Sequence, residues 1–238
     1  MGAITPAAAL EALRALGDPA RAAAAAAYHA TARPCLGVPV PQITELTRSW
    51  RAGMDIADRV ALAAALWDAD FHESRIAAAK LFVQARIRPD AAVWAEIRRW
   101  VPMLDGWALT DHAAEAGSRR LAADPARLDD LEAWARDPSP WVRRAAFMFT
   151  LPWARQRHPR PDDRDRSERV LGWAAAAARD RDRFVQKAIA TWLRTLARHD
   201  AARARDFLDG PGMALKPFAR REAARGLRPA PGPGQRGR

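Results

Sequence analysis

The sequence predicts an all-α protein built from repeated helix pairs, and three observations support this prediction. Apolar residues make up 49% of the 238 positions. Alanine dominates them, and it is the best helix former and a poor strand residue. No segment shows the alternation of apolar and polar residues that is typical of strands. A motif around Trp141 recurs around Phe184, 43 residues later, which indicates stacked repeats.

Proline and glycine mark the expected helix breaks. Asp-Pro pairs at 18–19, 124–125 and 137–138 predict helix starts, with Asp as the N-cap and Pro in the first turn. A Pro-rich charged stretch, His158–Ser167, predicts a loop. We expect one domain over residues 1–228 and a disordered Pro/Gly/Arg tail over 229–238. The predicted helices are 6–16, 18–32, 39–51, 55–68, 71–86, 90–101, 106–122, 125–136, 139–154, 166–178, 181–199, 201–208 and 216–226.

The repeat has the form Asp, turn, aromatic-Val, two polar residues, then small apolar residues. It reads DPSPWVRRAA from Asp137 and DRDRFVQKAI from Asp180, with weaker copies near His72 and Phe218. An aromatic-Val-Arg helix start of this kind is typical of HEAT-type repeats, whose helix pairs stack on one another. The sequence therefore predicts a curved, HEAT-like α-solenoid.

Five residues occupy equivalent positions in successive repeats, at intervals of 36, 33, 43 and 34 residues, and four of these five residues are basic. One side chain per repeat on one ridge would give a basic concave face that follows a phosphate backbone. The alternative is that each is a solvated or salt-bridging residue. The five positions are Arg75, Asp111, Arg144, Lys187 and Arg221.

Charge is unevenly distributed along the chain. Residues 1–135 carry 15 Lys/Arg and 17 Asp/Glu, a net charge of −2, whereas residues 136–238 carry 24 and 11, a net charge of +13. This asymmetry favours a polyanionic partner for the C-terminal half. A GC-rich genome would explain why arginine outnumbers lysine but would leave the asymmetry unexplained.

Several classes of function receive no support. The single cysteine, Cys35, excludes an internal disulfide. The five histidines show no metal-ligand spacing, and His112 is expected on the surface. No apolar run reaches the length of a membrane span, and the N-terminus does not resemble a signal peptide. We expect no cofactor, no metal and no membrane association, and a monomer in the cytoplasm near the nucleoid.

Asp111 is the exception among the basic ridge positions. A carboxylate there repels phosphate, so its presence suggests a role beyond adhesion. Trp107 lies four residues earlier on the same helix face. An acid beside an aromatic suits cleavage of the glycosidic bond of a cationic purine, because the carboxylate can stabilise the oxocarbenium-like sugar. The alternatives are that Trp107 is core and that Asp111 pairs with Arg144.

The chain resembles the DNA alkylation repair enzymes of the AlkD-like family of HEAT-repeat DNA glycosylases. The resemblance runs from about Tyr28 to Leu227. The supporting motifs are Tyr28, LGVPVP from Leu36, LWD from Leu66, WALTD from Trp107, WVRRAA from Trp141, FVQKAIATWLR from Phe184 and RREA from Arg220.

This resemblance implies excision of N3- and N7-alkylpurines from duplex DNA, without a metal and without deep flipping of the base. It implies that Trp107 stacks near the lesion sugar, that Asp111 is the catalytic carboxylate and that Arg144 holds the backbone. It also places Tyr28 near the DNA. With the ridge, the motifs extend the predicted DNA contacts to Arg75, Lys187, Thr191, Trp192, Arg194, Arg220 and Arg221.

One position departs from the family pattern. The family pattern has its second site tryptophan at the position of Thr191, and this chain has a tryptophan one residue later, Trp192. One helical step rotates a side chain by about 100°. Trp192 could therefore belong to the core or to the site. A non-catalytic HEAT-repeat scaffold that binds nucleic acid or an acidic protein is the alternative function. A specialised glycosylase for bulky adducts is a third, because Thr191 would leave a wider cleft.

Overall fold

A computed structural model describes residues 4–227, which contain fourteen α-helices, four short 3₁₀ helices and no strand. The all-α prediction is confirmed. The predicted tail, 229–238, lies outside the described residues. The helices are α1 Pro6–Ala15, α2 Pro19–His29, α3 Val40–Arg51, α4 Ile56–Asp68, α5 His72–Leu81, α6 Ala91–Trp100, α7 Trp107–Ala123, α8 Leu128–Trp134, α9 Pro140–Phe149, α10 Leu151–Ala154, α11 Pro161–Ala176, α12 Arg183–Ala197, α13 Ala201–Asp209 and α14 Pro217–Ala224.

Aspartate caps begin several helices as the sequence predicts. Asp18 accepts a hydrogen bond from the Arg21 amide before α2, where Pro19 takes the first helical position. The cap at Asp124 begins a 3₁₀ turn rather than an α-helix. The third Asp-Pro pair is offset, because Asp137 accepts from the Ser139 amide at 2.8 Å and α9 starts only at Pro140. Asp137 therefore shapes the turn before that helix.

The prediction of a loop over 158–167 is wrong for most of that stretch, since α11 begins at Pro161. Proline is favoured in the first turn, where its missing N–H has no helical partner to lose. Asp162 and Asp163 follow it in the first turn, where carboxylates interact favourably with the helix dipole. Arg166 then pairs with Asp163 at 2.7 Å one turn later. These local interactions outweigh the polar composition that suggested a loop.

The chain divides into two compact units, Met1–Asp129 and Asp130–Arg238. In the first unit, α5 contacts α3, α4 and α7; in the second, α12 contacts α9, α13 and α14. Helices that carry the repeat motif are thus neighbours within each unit. No helix in residues 4–227 is long and apolar enough to cross a membrane.

The repeat of the second unit is visible in its hydrogen bonds. Arg143 and Gln186 occupy the same position of the two motif copies, and each donates to carbonyls of the turn before its own helix. Arg143 donates to residues 137 and 138, both at 2.8 Å, and Gln186 to residues 178 and 180 at 2.8 and 3.2 Å. A polar residue at this position therefore closes the turn that connects successive repeats.

Arg120 of α7 performs a similar task in the first unit. Its side chain is fully buried and donates to the carbonyls of Gln84, Ala85 and Ile87 at 2.5 to 3.1 Å. Asp90 balances the charge at 3.2 Å. One guanidinium thus satisfies the backbone between α5 and α6, which has no helical partners of its own.

Replacing Arg120 by Met should lower the free energy of unfolding by about 3 kcal/mol, because three buried carbonyls lose their donor and Asp90 loses one of its two arginine partners. Urea denaturation monitored by circular dichroism measures the change. Arg119→Met is the matched control, since Arg119 is exposed and should shift stability by less than about 0.5 kcal/mol. Equal effects of the two substitutions would contradict this role of Arg120.

Candidate functional site

The first unit contains a cleft of about 300 Å³ that brings Trp107 and Asp111 together. Apolar side chains from α2, α3, α5 and α7 form much of its wall, and titratable side chains interrupt them. The lining residues are Ala25, His29, Val38, Val40, His72, Glu73, Ile76, Trp107, Ala108, Asp111 and His112. A small apolar cleft with a few convergent polar groups is the usual form of a binding site.

Trp107 and Asp111 lie one turn apart at the N-terminal end of α7, and both are half-buried. The Thr110 hydroxyl donates to the Gly106 carbonyl at 2.9 Å, within that first turn. The Tyr28 ring meets Trp107 edge to face, with centroids 5.9 Å apart. Tyr28 is 74% exposed, so an aromatic ring stands at the mouth of the cleft next to Trp107. The predicted proximity of an acid and an aromatic is confirmed.

Histidines form a part of the wall that the sequence analysis missed. His29 and His72 stack with ring centroids 4.5 Å apart, and His29 lies 5.2 Å from the Trp107 ring. His112, expected on the surface, is half-buried in the cleft wall, so that expectation is wrong. A usable signal was present in the sequence: His29 follows Tyr28 directly, and His112 follows Asp111.

Burial keeps these histidines uncharged at neutral pH. It lowers the pKa of His72 to about 4 and the pKa of His112 to about 4. Burial also lowers the pKa of His29, and the charge of Glu73 opposes that effect in part. Neutral imidazoles therefore surround the cleft without adding positive charge beside Asp111.

Glu73 holds the segment that joins α2 to α3. Its buried carboxylate accepts from the amides of Leu36, Gly37 and Val38 at 2.8, 2.7 and 3.3 Å. Gly37 has a φ of +78°, and a Cβ there would come within 2.2 Å of the Asp18 carbonyl oxygen. Glycine is required on both counts. The LGVPVP motif is thus a backbone segment shaped to fit against α5.

Arg75 does not fit the exposed ridge predicted from repeat spacing, because it is only 4% exposed. It pairs with Asp70 at 2.6 Å and donates to the carbonyls of Trp67 and Met103. Burial lowers its pKa to about 10, so the guanidinium stays charged at neutral pH. Its contacts are intramolecular, as in the salt-bridging alternative.

Arg144 is likewise 4% exposed and donates to the Phe184 carbonyl at 3.0 Å. With two of five positions buried, the prediction of a single exposed ridge is wrong. Trp192 is 1% exposed, and its indole N–H donates to the Thr150 carbonyl at 3.4 Å. Trp192 therefore belongs to the core of the second unit, and the alternative of a site residue is wrong.

The remaining predicted contacts differ in exposure. Lys187 and Arg221 are exposed, and Thr191 is half-buried. Arg194 forms an ion pair with Glu222, and Arg220 lies 4.0 Å from Asp209. Within residues 4–227, no group of three or more His, Cys, Asp or Glu side chains could hold a metal ion.

The depressed pKa of His72 should make stability depend on pH. Between pH 6.5 and about 4 the unfolded chain binds a proton at His72 that the folded chain does not. The free energy of unfolding therefore decreases as the pH is lowered through this range. The shift corresponds to at most about 3 kcal/mol. The free energies of unfolding measured by urea titration at pH 7 and at pH 4.5 should therefore differ less for His72→Gln than for the native protein. His158→Gln, which alters an exposed histidine, is the control and should leave the difference unchanged.

Comparisons with known proteins agree with the sequence motifs. A predicted DNA alkylation repair enzyme from Enterococcus faecalis superposes with a TM-score of 0.75 at 19% identity, covering 90% of this chain and 98% of that one. AlkD2 from Streptococcus mutans gives 0.59 at 16% identity, covering 78% and 89%. These likenesses establish an AlkD-like helical repeat fold. No curated protein matches the sequence significantly.

The family model described as DNA alkylation repair enzyme matches residues 9–227. That range spans the helices of both units and includes every residue of the cleft. The chain therefore belongs to the DNA alkylation repair enzyme family.

Proposed function

We propose that this protein is a DNA glycosylase that releases N3- and N7-alkylated purines from duplex DNA. The observation that carries the proposal is the position of Asp111 beside Trp107 in the cleft of the first unit. Family membership supports a role in the repair of alkylation damage. The cleft supplies the groups that cleavage of a cationic nucleotide needs.

The chemistry follows from the substrate's charge. A purine alkylated at N3 or N7 is already cationic and leaves as a neutral base, so it needs little help from a general acid. Positive charge then develops on the deoxyribose as the glycosidic bond breaks. A fixed carboxylate at Asp111 stabilises that charge and can orient a water for attack at the anomeric carbon. The indole face of Trp107 provides an apolar, electron-rich surface for the sugar.

The rest of the wall favours a cation. Neutral His29, His72 and His112 do not oppose positive charge on the sugar, as imidazolium groups would. Lys80, the nearby cation that acts on His112, is paired with Glu115 at 2.6 Å. Tyr28 offers a second aromatic surface next to Trp107, with ring centroids 5.9 Å apart. The cleft therefore has one aromatic side chain in its wall and a second beside it.

We further propose that Lys187 and Arg221 contact the phosphate backbone. Both are exposed cations in residues 136–238, the part of the chain with a net charge of +13. Arg144 is not among the proposed contacts, because it is only 4% exposed and donates to the Phe184 carbonyl. The proposed mode contacts the lesion sugar without taking the base into a deep pocket. Backbone contacts of this kind carry no sequence preference.

Asp111→Asn should reduce excision by about 10²- to 10³-fold, the size of losing one preorganised electrostatic contact. Affinity for undamaged duplex should stay equal or rise, because a charge that repels phosphate is removed. Release of methylated base from methylated duplex DNA measures the rate, after subtraction of depurination without enzyme. Asp58→Asn, at an exposed acid of the same unit, should retain full activity.

The same assay decides between an enzyme and a scaffold. If the native protein releases no more base than the control without enzyme, the glycosylase proposal is contradicted. The alternative of a non-catalytic scaffold would then replace it. A loss of stability and DNA binding together in Asp111→Asn would instead indicate a structural ion pair.

Lys187→Ala and Arg221→Ala should each lower the slope of log binding constant against log salt concentration by about 1, because one counterion fewer is released. Fluorescence anisotropy with a labelled duplex from 50 to 200 mM salt measures this slope. Arg205→Ala removes an exposed cation of α13 and should leave the slope unchanged. A flat response of the native protein to salt would point to a protein partner.

A further inference from the structure

We propose that Arg33 is a positioning residue for the lesion site, acting through a network of two buried arginine side chains and two partly exposed aspartates. The network, comprising Arg33, Asp70, Arg75 and Asp105, holds the segment after α2 against the segment before α7. Those helices carry Tyr28 and His29 on one side and Trp107 and Asp111 on the other. The inference rests on the proposed glycosylase function.

The first connection is the ion pair between Arg33 and Asp105. The Arg33 Nη2 donates to Asp105 Oδ2 at 2.6 Å, and the Arg33 side chain is 8% exposed. Arg33 follows His29, the last residue of α2, by four positions, and Asp105 precedes Trp107, the first residue of α7, by two. One ion pair, between a buried guanidinium and a partly exposed carboxylate, therefore joins the end of one site helix to the start of the other.

The second connection runs through Asp70, which contacts both arginines. Its carboxylate pairs with Arg33 and, at 2.6 Å, with Arg75. Arg75 in turn donates to the Met103 carbonyl at 3.1 Å, in the same segment as Asp105. Asp70 also has a φ of +61°, a left-handed conformation that non-glycine residues seldom adopt. The turn before α5 is thus shaped to present one carboxylate to two guanidinium groups.

This arrangement suits the control of geometry better than contact with DNA. Arg33 and Arg75 are both buried, and their charges are balanced by Asp70 and Asp105. Ion pairs of this kind add little net stability relative to packed apolar residues, but the 2.6 Å contacts of Arg33 with Asp105 and of Arg75 with Asp70 fix distances. A displacement of about 1 Å at the site can cost 10²-fold in rate. Tyr28 and Trp107, with ring centroids 5.9 Å apart, are the pair whose spacing the network sets.

The experiment compares Arg33→Met, Arg33→Lys and Asp105→Asn with Arg48→Met as the control. Arg48 forms an exposed ion pair with Glu45 in the same unit. Single-turnover excision should fall by about 10- to 100-fold in Arg33→Met and Asp105→Asn. The Kd for undamaged duplex should change by less than about twofold, because no DNA contact is lost. Arg33→Lys should be intermediate, since an ammonium keeps the charge but lacks the forked donors that hold two carboxylates.

A second readout is independent of activity. Protein labelled with 5-fluorotryptophan gives ¹⁹F resonances, and Trp107→Phe identifies the signal of Trp107. That signal should shift or broaden in Arg33→Met and in Asp105→Asn, whereas the signal of Trp173, in the second unit, should not move. If native protein shows no excision above the control without enzyme, the proposed function fails and this spectrum still tests the positioning role.

Three results would overturn the proposal. Parallel losses of excision and of affinity for undamaged duplex in Arg33→Met would identify a DNA contact. Unchanged excision together with an unchanged Trp107 signal would show that the network does not determine the geometry of the site. Should Arg33→Met fail to fold, the nearly isosteric Asp105→Asn carries the same test, and unfolding of both variants would reduce the network to a structural role.

Discussion

The buried carboxylate of Glu73 is the constraint on which the candidate site depends. It satisfies three consecutive backbone amides of the segment between α2 and α3 and fastens that segment to α5. An irregular segment cannot satisfy its own amides, and leaving them unpaired in the interior would cost far more than the hydrogen bonds gain. With the segment fastened, His29 stacks on His72 and Tyr28 meets Trp107. The cleft is therefore a consequence of how one connection is anchored.

Arginines solve the corresponding problem elsewhere in the chain. Arg120 closes the connection between α5 and α6, and Arg143 closes the turn before α9. A guanidinium carries five donors in a rigid fork, so one side chain can satisfy several carbonyls of an irregular turn. Alanine-rich helices offer few polar side chains for this task. High arginine content therefore serves the interior of this protein as well as its surface.

The electrostatic character of the cleft follows from burial. Three imidazoles packed among apolar side chains lose part of their affinity for protons, so they add no positive charge to the cleft at neutral pH. The same feature separates this region from the exposed lysine and arginine positions of the second unit. The proposed sugar stabilisation and the proposed backbone contacts thus rest on different physical environments.

Local sequence determined the helical class, most helix boundaries, the aspartate caps and the pairing of Trp107 with Asp111, because these depend on residues within one or two turns. Repeat spacing also identified Lys187 and Arg221 as exposed cations. Only the tertiary structure decided that Arg75, Arg144 and Trp192 are buried and that His112 lines the cleft. Those outcomes depend on distant partners, such as Phe184, 40 residues after Arg144, and Met103, 28 residues after Arg75. A repeat motif fixes where a side chain begins on its helix, whereas packing against distant segments decides whether it meets solvent.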